Sequence, residues 1–209
     1  MFKQGLSDQT SRDLAILGKS ELLGQFYLAG GTACALRLGH RLSFDLDFFT
    51  LKSFTQEELG ISLGKISYFR RDQIAPDTLL GIFGKTKISF FRYDYPLIDK
   101  TDSFQHLQIA SLADLSAMKI DAISRRGTKR DFIDLYFISQ KITLTGAFTN
   151  YRKKYGHKNI NFFHAAKSLN FFGDAEQDDI PIMLTRCDWD RVKAFFSQES
   201  PAILKVAIK

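Results

Sequence analysis

Cysteine and tryptophan are rare in the sequence. Of its 209 residues, two are cysteines and one is a tryptophan. Cys34 and Cys187 lie far apart and neither belongs to a CxxC pair, so we expect two free thiols and neither a disulfide framework nor a zinc site. With 44% hydrophobic and 25% charged residues, the composition is that of a globular chain and excludes disordered and fibrous classes.

Long apolar runs are also missing. The longest uncharged stretch, residues 22–36, contains Gly24, Gly30 and Gly31, and is too short and too polar to span a bilayer. The first thirteen residues lack an apolar core followed by a small-residue cleavage site. We therefore expect no membrane contact, no export and a cytoplasmic location.

The charge is positive overall and unevenly distributed. The formal net charge is +6, and residues 119–158 contain ten basic and three acidic residues. Within that block, YRKKYGHK at residues 151–158 alternates aromatic and basic side chains in the manner of a nucleic-acid contact. The block favours a polyanionic partner such as RNA, and a solvated helical face is the alternative.

The spacing of apolar residues divides the chain into a sheet-containing half and a helical half. Strands are predicted at residues 26–29, 40–50, 65–71, 78–83 and 85–93, the last two joined as a hairpin by Gly84. Helices are predicted at residues 11–25, 32–38, 53–63, 112–123, 129–140, 160–171 and 188–198. We place a mixed-sheet domain at residues 1–105 and a helical domain at residues 106–209.

The first strand, turn and helix carry a phosphate-binding signal. Gly30 and Gly31 end a short apolar strand and open a helix. Glycine lets the backbone approach a phosphate closely and aim unpaired N–H groups at it, and Thr32 can add a hydroxyl. Taken alone, the two glycines are more commonly a simple tight turn.

The next strand carries a pair of acids. Asp45 and Asp47 are two residues apart, so a strand projects both from one face with Cα atoms about 6.6 Å apart. Adjacent acids repel each other, and their presence in a basic chain favours a divalent cation between them. Taken alone, such a pair is usually a strand face in contact with water. Together, the glycine turn and the acid pair favour metal-assisted phosphoryl-type transfer.

Two segments resemble a known family. Residues 26–50, FYLAGGTACALRLGHRLSFDLDFFT, resemble the signature of nucleotidyltransferase-fold enzymes, in particular the AbiEii/AbiGii toxins of abortive-infection and type IV toxin–antitoxin systems. Residues 111–137, SLADLSAMKIDAISRRGTKRDFIDLYF, are similar to the later motifs of that family. The resemblance implies an α/β (α+β) fold, with a nucleotidyltransferase-type mixed sheet, flanking helices and a C-terminal helical domain.

The resemblance also implies roles for residues of the first domain. By position, Gly30, Gly31 and Thr32 contact the nucleoside triphosphate, and Asp45 and Asp47 bind magnesium or manganese. Arg41 and Ser43, beside the acid pair, join the predicted nucleotide-binding set, with the arginine balancing phosphates or carboxylates. Lys119 and Arg130 of the later motifs are the other members of that set.

Three further residues lie in the later motifs. The resemblance implies that Lys119 reaches the nucleotide phosphates. Arg130 and Asp131 occupy the charged positions of the last motif, where Asp131 positions either the acceptor or Lys119, and Asp134 follows one turn later. Lys119 and Asp131 join the two acids of the first domain as the predicted catalytic set.

One departure from the family pattern concerns a third acid. Many nucleotidyltransferases carry one on a later strand, whereas the corresponding segment here, KTKISFF, has Ser89. A serine cannot supply the charge. Asp94 or Asp131 is a substitute, or the enzyme works with two carboxylates.

The reaction implied by the resemblance is transfer of a nucleoside monophosphate from an NTP to an acceptor hydroxyl, with release of pyrophosphate. The family suggests a toxin that acts on RNA, such as a tRNA end, and that is paired with an antitoxin. Two alternatives stay open. One is a nucleotidyltransferase that modifies a protein or a small molecule, because the acid pair does not encode the acceptor. The other is a non-catalytic nucleotide-binding module, which Ser89 would favour.

Overall fold

The computed structural model describes residues 1–158 and 160–208 of the chain. Contacts between Cα atoms divide it into two compact units. The first comprises Met1–Pro96 and Lys100–Ala110, and the second comprises Leu97–Asp99 and Ser111–Lys209. The short segment Leu97–Asp99 therefore belongs to the second unit although both of its neighbours in sequence belong to the first.

The first unit contains a mixed sheet and three α-helices among its described residues. The helices are α1 (Asp8–Gly18), α2 (Gly30–Leu38) and α3 (Gln56–Ile66). The strands are β1 (Tyr27–Ala29), β2 (Leu46–Thr50), β3 (Phe69–Ala75), β4 (Thr78–Phe83), β5 (Thr86–Arg92), β6 (Asp102–Phe104) and β7 (Leu107–Ile109). They form one sheet in the order β3-β4-β5-β2-β1-β7-β6.

The two faces of this sheet differ in burial. On β2 and β5, Leu46, Phe48 and Phe90 are buried, and the rings of the two phenylalanines stack with their centroids 5.4 Å apart. Thr86 shares that face and donates a hydrogen bond of 2.6 Å to Asp13, so α1 lies on the buried side. The alternate residues, including Asp47, are partly exposed. We call the side that carries Asp47 the open face of the sheet.

The described residues of the second unit are helical. Its helices are α4 (Leu112–Arg125), α5 (Lys129–Ser139), α6 (Leu144–Tyr155), α7 (Phe162–Ser168), α8 (Gly173–Glu176) and α9 (Trp189–Ile208). Ser111 caps α4 by accepting the N–H of Asp114 at 3.0 Å. Phe132 of α5 forms the aromatic centre of the core, with its ring 5.3 Å from that of Phe196 on α9.

Several predictions from the sequence hold and others need correction. The mixed sheet, the hairpin about Gly84 and the helices on either side of Gly127 are present, and both cysteines are free. The strand predicted at residues 40–50 begins only at Leu46, because Ser43 instead donates its N–H to Gly5 and bridges to Leu6. No helix in the described part of the chain is both long and apolar enough to cross a membrane.

The sheet also extends past the division that the sequence predicts after residue 105. Strand β7 ends at Ile109 and pairs in parallel with β1, so it belongs to the first unit. A strand of three residues is too short to display a period of two, and for that reason the sequence pattern misses it.

Candidate active site

The amino end of α2 lies against the side chain of Asp47. Gly30 directly follows β1 and has φ = 65°, a conformation that glycine adopts without steric cost. Ala29 of β1 pairs in antiparallel register with Asp47 of β2. A Cβ atom on Gly30 would lie 2.7 Å from Oδ2 of Asp47. Glycine is therefore needed here both for its backbone conformation and to leave room for the carboxylate.

Arg41 occupies the corresponding place beside Gly31. A Cβ atom on Gly31 would lie 2.6 Å from Nη2 of Arg41. The arginine is buried, and its Nη1 donates a 2.9 Å hydrogen bond to the carbonyl of Leu42. The structure thus brings a fixed positive charge and a carboxylate to the first turn of one helix, at the two glycines that the sequence analysis selected.

The side chains of Thr32 and Ser43 connect the first turn of α2 to the segment before β2. Both side chains are buried, and their hydroxyl oxygens lie 2.8 Å apart. The Thr32 hydroxyl also donates to the main-chain carbonyl of Asp45. Both hydroxyls therefore have partners within the protein and fix the segment before β2. That Thr32 and Ser43 contact the nucleotide stays a prediction.

The amino end of α2 is built to attract an anion. Its N-cap residue, Ala29, makes no side-chain capping hydrogen bond. The first N–H groups of a helix have no partner within the helix, and together with the helix dipole they favour a negatively charged ligand.

The acid pair offers oxygen ligands suited to a hard divalent cation. Asp45 is exposed and Asp47 is partly exposed, so both carboxylates are accessible. Ser89 of β5 pairs in parallel register with Asp47, so the serine stands on the open face beside it. Among residues 1–158 and 160–208, no group of three or more His, Cys, Asp or Glu side chains is placed to hold a metal. The residues present fit a cation held by two protein carboxylates and completed by phosphate and water oxygens.

The remaining predicted catalytic residues form a buried cluster in the second unit. Lys119 of α4 places its Nζ 2.9 Å from Oδ1 of Asp131 and 2.6 Å from Oδ2 of Asp134, both on α5. The lysine is 5% exposed and the two acids 1% and 0%. Asp131 therefore forms a buried ion pair with Lys119, and the role of Asp131 toward the lysine or the acceptor stays a prediction.

Arg126 is the residue of this cluster that the sequence analysis missed. Its Nε lies 2.9 Å from Oδ2 of Asp131, and the Thr128 hydroxyl donates to the same carboxylate at 2.7 Å. Burial alone would raise the pKa of Asp131, but the charges of Lys119 and Arg126 outweigh it and hold the pKa well below its usual range. Arg130 is exposed, as is Arg126, and its predicted role in binding nucleotide stays a prediction. The Thr-x-x-Asp spacing of residues 128–131 is typical of a helix start and indicates Thr128 as a partner of Asp131, but it gives no signal for Arg126.

A second buried ion pair joins α4 to α6. Nζ of Lys154 lies 2.7 Å from Oδ1 of Asp114, and both side chains are fully buried. Asp114 also accepts the N–H groups of Ile98 and Asp99, at 2.9 and 3.3 Å. It therefore fastens the segment Leu97–Asp99 to the start of α4. Burial lowers the pKa of Lys154, and the hydrogen bond to Asp114 opposes that effect.

These contacts also correct the interpretation of residues 151–158. Tyr151, Lys154 and Tyr155 are buried, and Arg152 donates to the carbonyl of Val206, so this segment packs in the core and does not present an alternating nucleic-acid surface. Much of the surrounding basic block is likewise engaged: the cations that are buried or bonded to acids are Lys119, Arg125, Arg126, Lys129 and Lys154.

Comparison with known proteins identifies the family. The model of the nucleotidyl transferase AbiEii toxins of type IV toxin–antitoxin systems matches residues 12–98 and 86–206. An uncharacterized protein of Aquifex aeolicus (strain VF5) is 37% identical over 187 residues, which cover 85% of this chain and 87% of that protein.

Solved structures show the same fold. MenT4, a nucleotidyltransferase toxin from Mycobacterium tuberculosis H37Rv, superposes with a TM-score of 0.60 at 16% identity, over 95% of this chain and 86% of its own. JHP933 from Helicobacter pylori superposes with a TM-score of 0.55 at 15% identity, over 97% and 94%. With the family match over most of its length, this chain belongs to the AbiEii family of nucleotidyltransferase toxins.

Proposed function

We propose that the protein transfers a nucleoside monophosphate from an NTP to a hydroxyl of RNA, such as a tRNA end, in a magnesium- or manganese-dependent reaction that releases pyrophosphate. We further propose that it acts in the cytoplasm as a toxin of an abortive-infection system and is held in check by an antitoxin. The observation that carries the catalytic part is the contact between Gly30 and the Asp47 carboxylate at the amino end of α2.

In this proposal the triphosphate binds at the first turn of α2. The main-chain N–H groups of residues 30–32 donate to its oxygens, and the buried guanidinium of Arg41 offsets its charge. Neither glycine has a side chain of its own, and the groups directly beside them are the Asp47 carboxylate and the Arg41 guanidinium.

Asp45 and Asp47 would hold the magnesium ion. When bound, the ion neutralises charge on the phosphates and activates the attacking oxygen. Asp45 is exposed and Asp47 is partly exposed, so a cation can reach both carboxylates. Thr32 keeps the main chain of Asp45 in place through the hydrogen bond to its carbonyl.

Lys119 is proposed to supply further positive charge to the phosphates, as the family resemblance implies. Asp131 and Asp134 fix the position of its Nζ, and Arg126 offsets the charge of Asp131. Asp131 is accordingly a positioning residue in this account. The variant Lys119→Met should then lower the transfer rate while leaving magnesium affinity unchanged.

The acid pair is tested by conservative substitution. Asp45→Asn and Asp47→Asn keep the shape of each side chain and remove its charge, and each should reduce labelling of RNA by α-³²P-NTP at least about 100-fold. Asp77→Asn is the matched control, because Asp77 is a surface-turn acid with φ = 56°, which asparagine tolerates. Isothermal titration of Mn²⁺ should show lost binding in the two site variants only.

The sensitivity of the labelled product to RNase and to protease also identifies the class of acceptor. Labelled product that is sensitive to RNase and resistant to protease supports RNA, and the reverse supports a protein acceptor. Persistent labelling in both Asp45→Asn and Asp47→Asn would remove the metal role assigned to the pair. NTP binding without any turnover by the wild-type protein would favour a non-catalytic module.

A further inference from the structure

The open face of the sheet carries exposed cations in line with the acid pair. Arg70 of β3 pairs in register with Ile82 of β4, and Ile82 pairs with Lys87 of β5. Leu46 of β2 pairs with Ile88, the residue after Lys87, and Asp45 directly precedes Leu46 outside the strand. Residues paired across neighbouring strands share a face, so Arg70, Ile82 and Lys87 form a row, and the same face continues along β5 from Lys87 to Ser89, which pairs with Asp47.

The row has two close neighbours. Lys85 is exposed in the turn between β4 and β5. Tyr68 precedes Arg70 by two residues, which gives it the same face, and it accepts the N–H of Gly84 at 2.8 Å. Its side chain is exposed, at 65%. We call Tyr68, Arg70, Lys85 and Lys87 the basic strip.

The cations of the basic strip are available to a ligand. The side chains of Lys85 and Lys87 have no ion-pair partner within residues 1–158 and 160–208, and both residues are exposed. Arg70 forms only a surface pair with Asp72, at 3.0 Å, with both side chains about half exposed. Surface pairs of this kind contribute little and exchange readily for a phosphate. By contrast, many cations in residues 119–158 are already engaged inside the second unit.

The strand order sets the basic strip on the side of the acid pair away from α2. Strand β2, which carries Asp47, lies between β1, which leads into α2, and β5, which carries Lys87. If the triphosphate binds at α2, its leaving pyrophosphate lies on the β1 side. Phosphoryl transfer proceeds with the attacking and leaving oxygens roughly in line, so the acceptor must approach from the opposite, β5 side.

We propose that the basic strip binds the sugar–phosphate backbone of a single-stranded RNA acceptor and directs its reactive hydroxyl to the acid pair. This inference rests on the proposed nucleotidyltransferase function. Arg70 and Lys87, whose Cα atoms are about two strand spacings or ~10 Å apart, contact successive stretches of phosphate backbone. Tyr68 offers an exposed ring on which a base stacks, an interaction that tolerates any sequence.

The test compares two double variants of equal charge. Arg70→Gln/Lys87→Gln removes two cations of the strip. Lys19→Gln/Lys52→Gln removes two exposed lysines of the same unit that lie at the end of α1 and beyond β2. Unfolding midpoints of both double variants should match that of the wild type.

The first readout is direct binding of a fluorescein-labelled unstructured RNA of about 12 nucleotides, followed by anisotropy as salt is raised. Each lost phosphate contact lowers the slope of log affinity against log salt by about 0.7 and weakens binding about 5-fold at ~0.1 M salt. The strip variant should therefore bind about 25-fold more weakly, with a slope reduced by about 1.4. The control should match the wild type.

The second readout is steady-state transfer. The strip variant should raise the KM for RNA and leave both the KM for NTP and kcat at wild-type values. Unchanged RNA affinity, an equal loss in the control, or a raised KM for NTP with unaltered RNA binding would overturn the proposal. If the wild type labels protein and not RNA, the proposed acceptor class fails, and the anisotropy measurement still decides whether the strip binds RNA.

Discussion

Replacing Gly30 by alanine tests whether the close approach of α2 to Asp47 matters for catalysis. The change adds one methyl group at a backbone position with φ = 65°. Left-handed backbone costs alanine about 1–2 kcal/mol relative to glycine. The new Cβ would also lie 2.7 Å from Oδ2 of Asp47, closer than real Cβ contacts come, so the carboxylate must shift away from the helix end.

Gly39→Ala is a matched control from the other end of the same helix. Gly39 is the C-cap of α2 and has φ = 64°, so the backbone cost is the same. Its Cβ would meet Cγ and Cβ of Phe2, at 2.8 and 3.0 Å, and Phe2 is 45% exposed, so the group that must shift lies at the surface. The two variants thus share the backbone strain and differ in whether they displace a site carboxylate.

The assay measures stability and transfer separately. Both variants should lower the thermal midpoint by a similar amount, about 2–8 °C for a chain of this length. Only Gly30→Ala should also reduce the single-turnover rate at saturating NTP, by about 10- to 100-fold, since displacing a catalytic group by up to 1 Å costs on the order of 100-fold. Equal transfer rates in the two variants, corrected for folded fraction, would refute the assignment of the site to this contact.

Two further predictions concern the second unit. Asp114→Asn leaves Lys154 buried without its ionic partner and should lower the free energy of unfolding by about 3–5 kcal/mol. The double variant Asp114→Asn/Lys154→Met should recover part of this loss. If the losses of the two single variants add up in urea titrations, the two residues are not coupled. The pKa of Asp131 is held below its unfolded value near 3.9, so the stability that its ion pairs contribute is present above about pH 4 and is lost as the pH falls. Between about pH 6 and pH 3, the free energy of unfolding of Asp131→Asn should therefore fall less than that of the wild type. If urea titrations show the same fall in both proteins, Asp131 does not contribute stability through its ion pairs.

The elements around Gly30 could be predicted from the sequence because each has a strong local cause. Two glycines after a short apolar run require a turn, and alternation of Phe48 with its polar neighbours requires a strand. The apolar stripes of α4 and α5, separated by Gly127, are equally local. The family motifs add the order of the glycine turn, the acid pair and the two helices along the chain, which the periodicity of apolar residues alone does not supply.

What the sequence could not supply is the set of partners that tertiary structure brings together. A buried hydroxyl needs a partner, and that of Thr32 bonds to Ser43 and to the main chain of Asp45, neither of which is indicated by its position after the two glycines. Arg130 and Arg126 are indistinguishable by composition, and only the fold of the turn before α5 decides which one contacts Asp131.

The basic residues show the same limit. The sequence indicates a polyanion-binding block by counting charges along the chain, whereas burial removes Lys119 and Lys154 from the surface. Arg70 and Lys87 are seventeen positions apart and have no local pattern, and strand register alone places them in one row. Counting charge along the sequence cannot separate cations that pair internally from those that remain accessible.

The proposed site is tested most directly by a crystal structure of the protein soaked with Mn²⁺ and a non-hydrolysable NTP analogue, with anomalous scattering used to locate the metal. We expect a manganese peak bound by the carboxylates of Asp45 and Asp47, with the triphosphate at the N–H groups of residues 30–32. Manganese bound at other carboxylates, or a triphosphate remote from the amino end of α2, would contradict it.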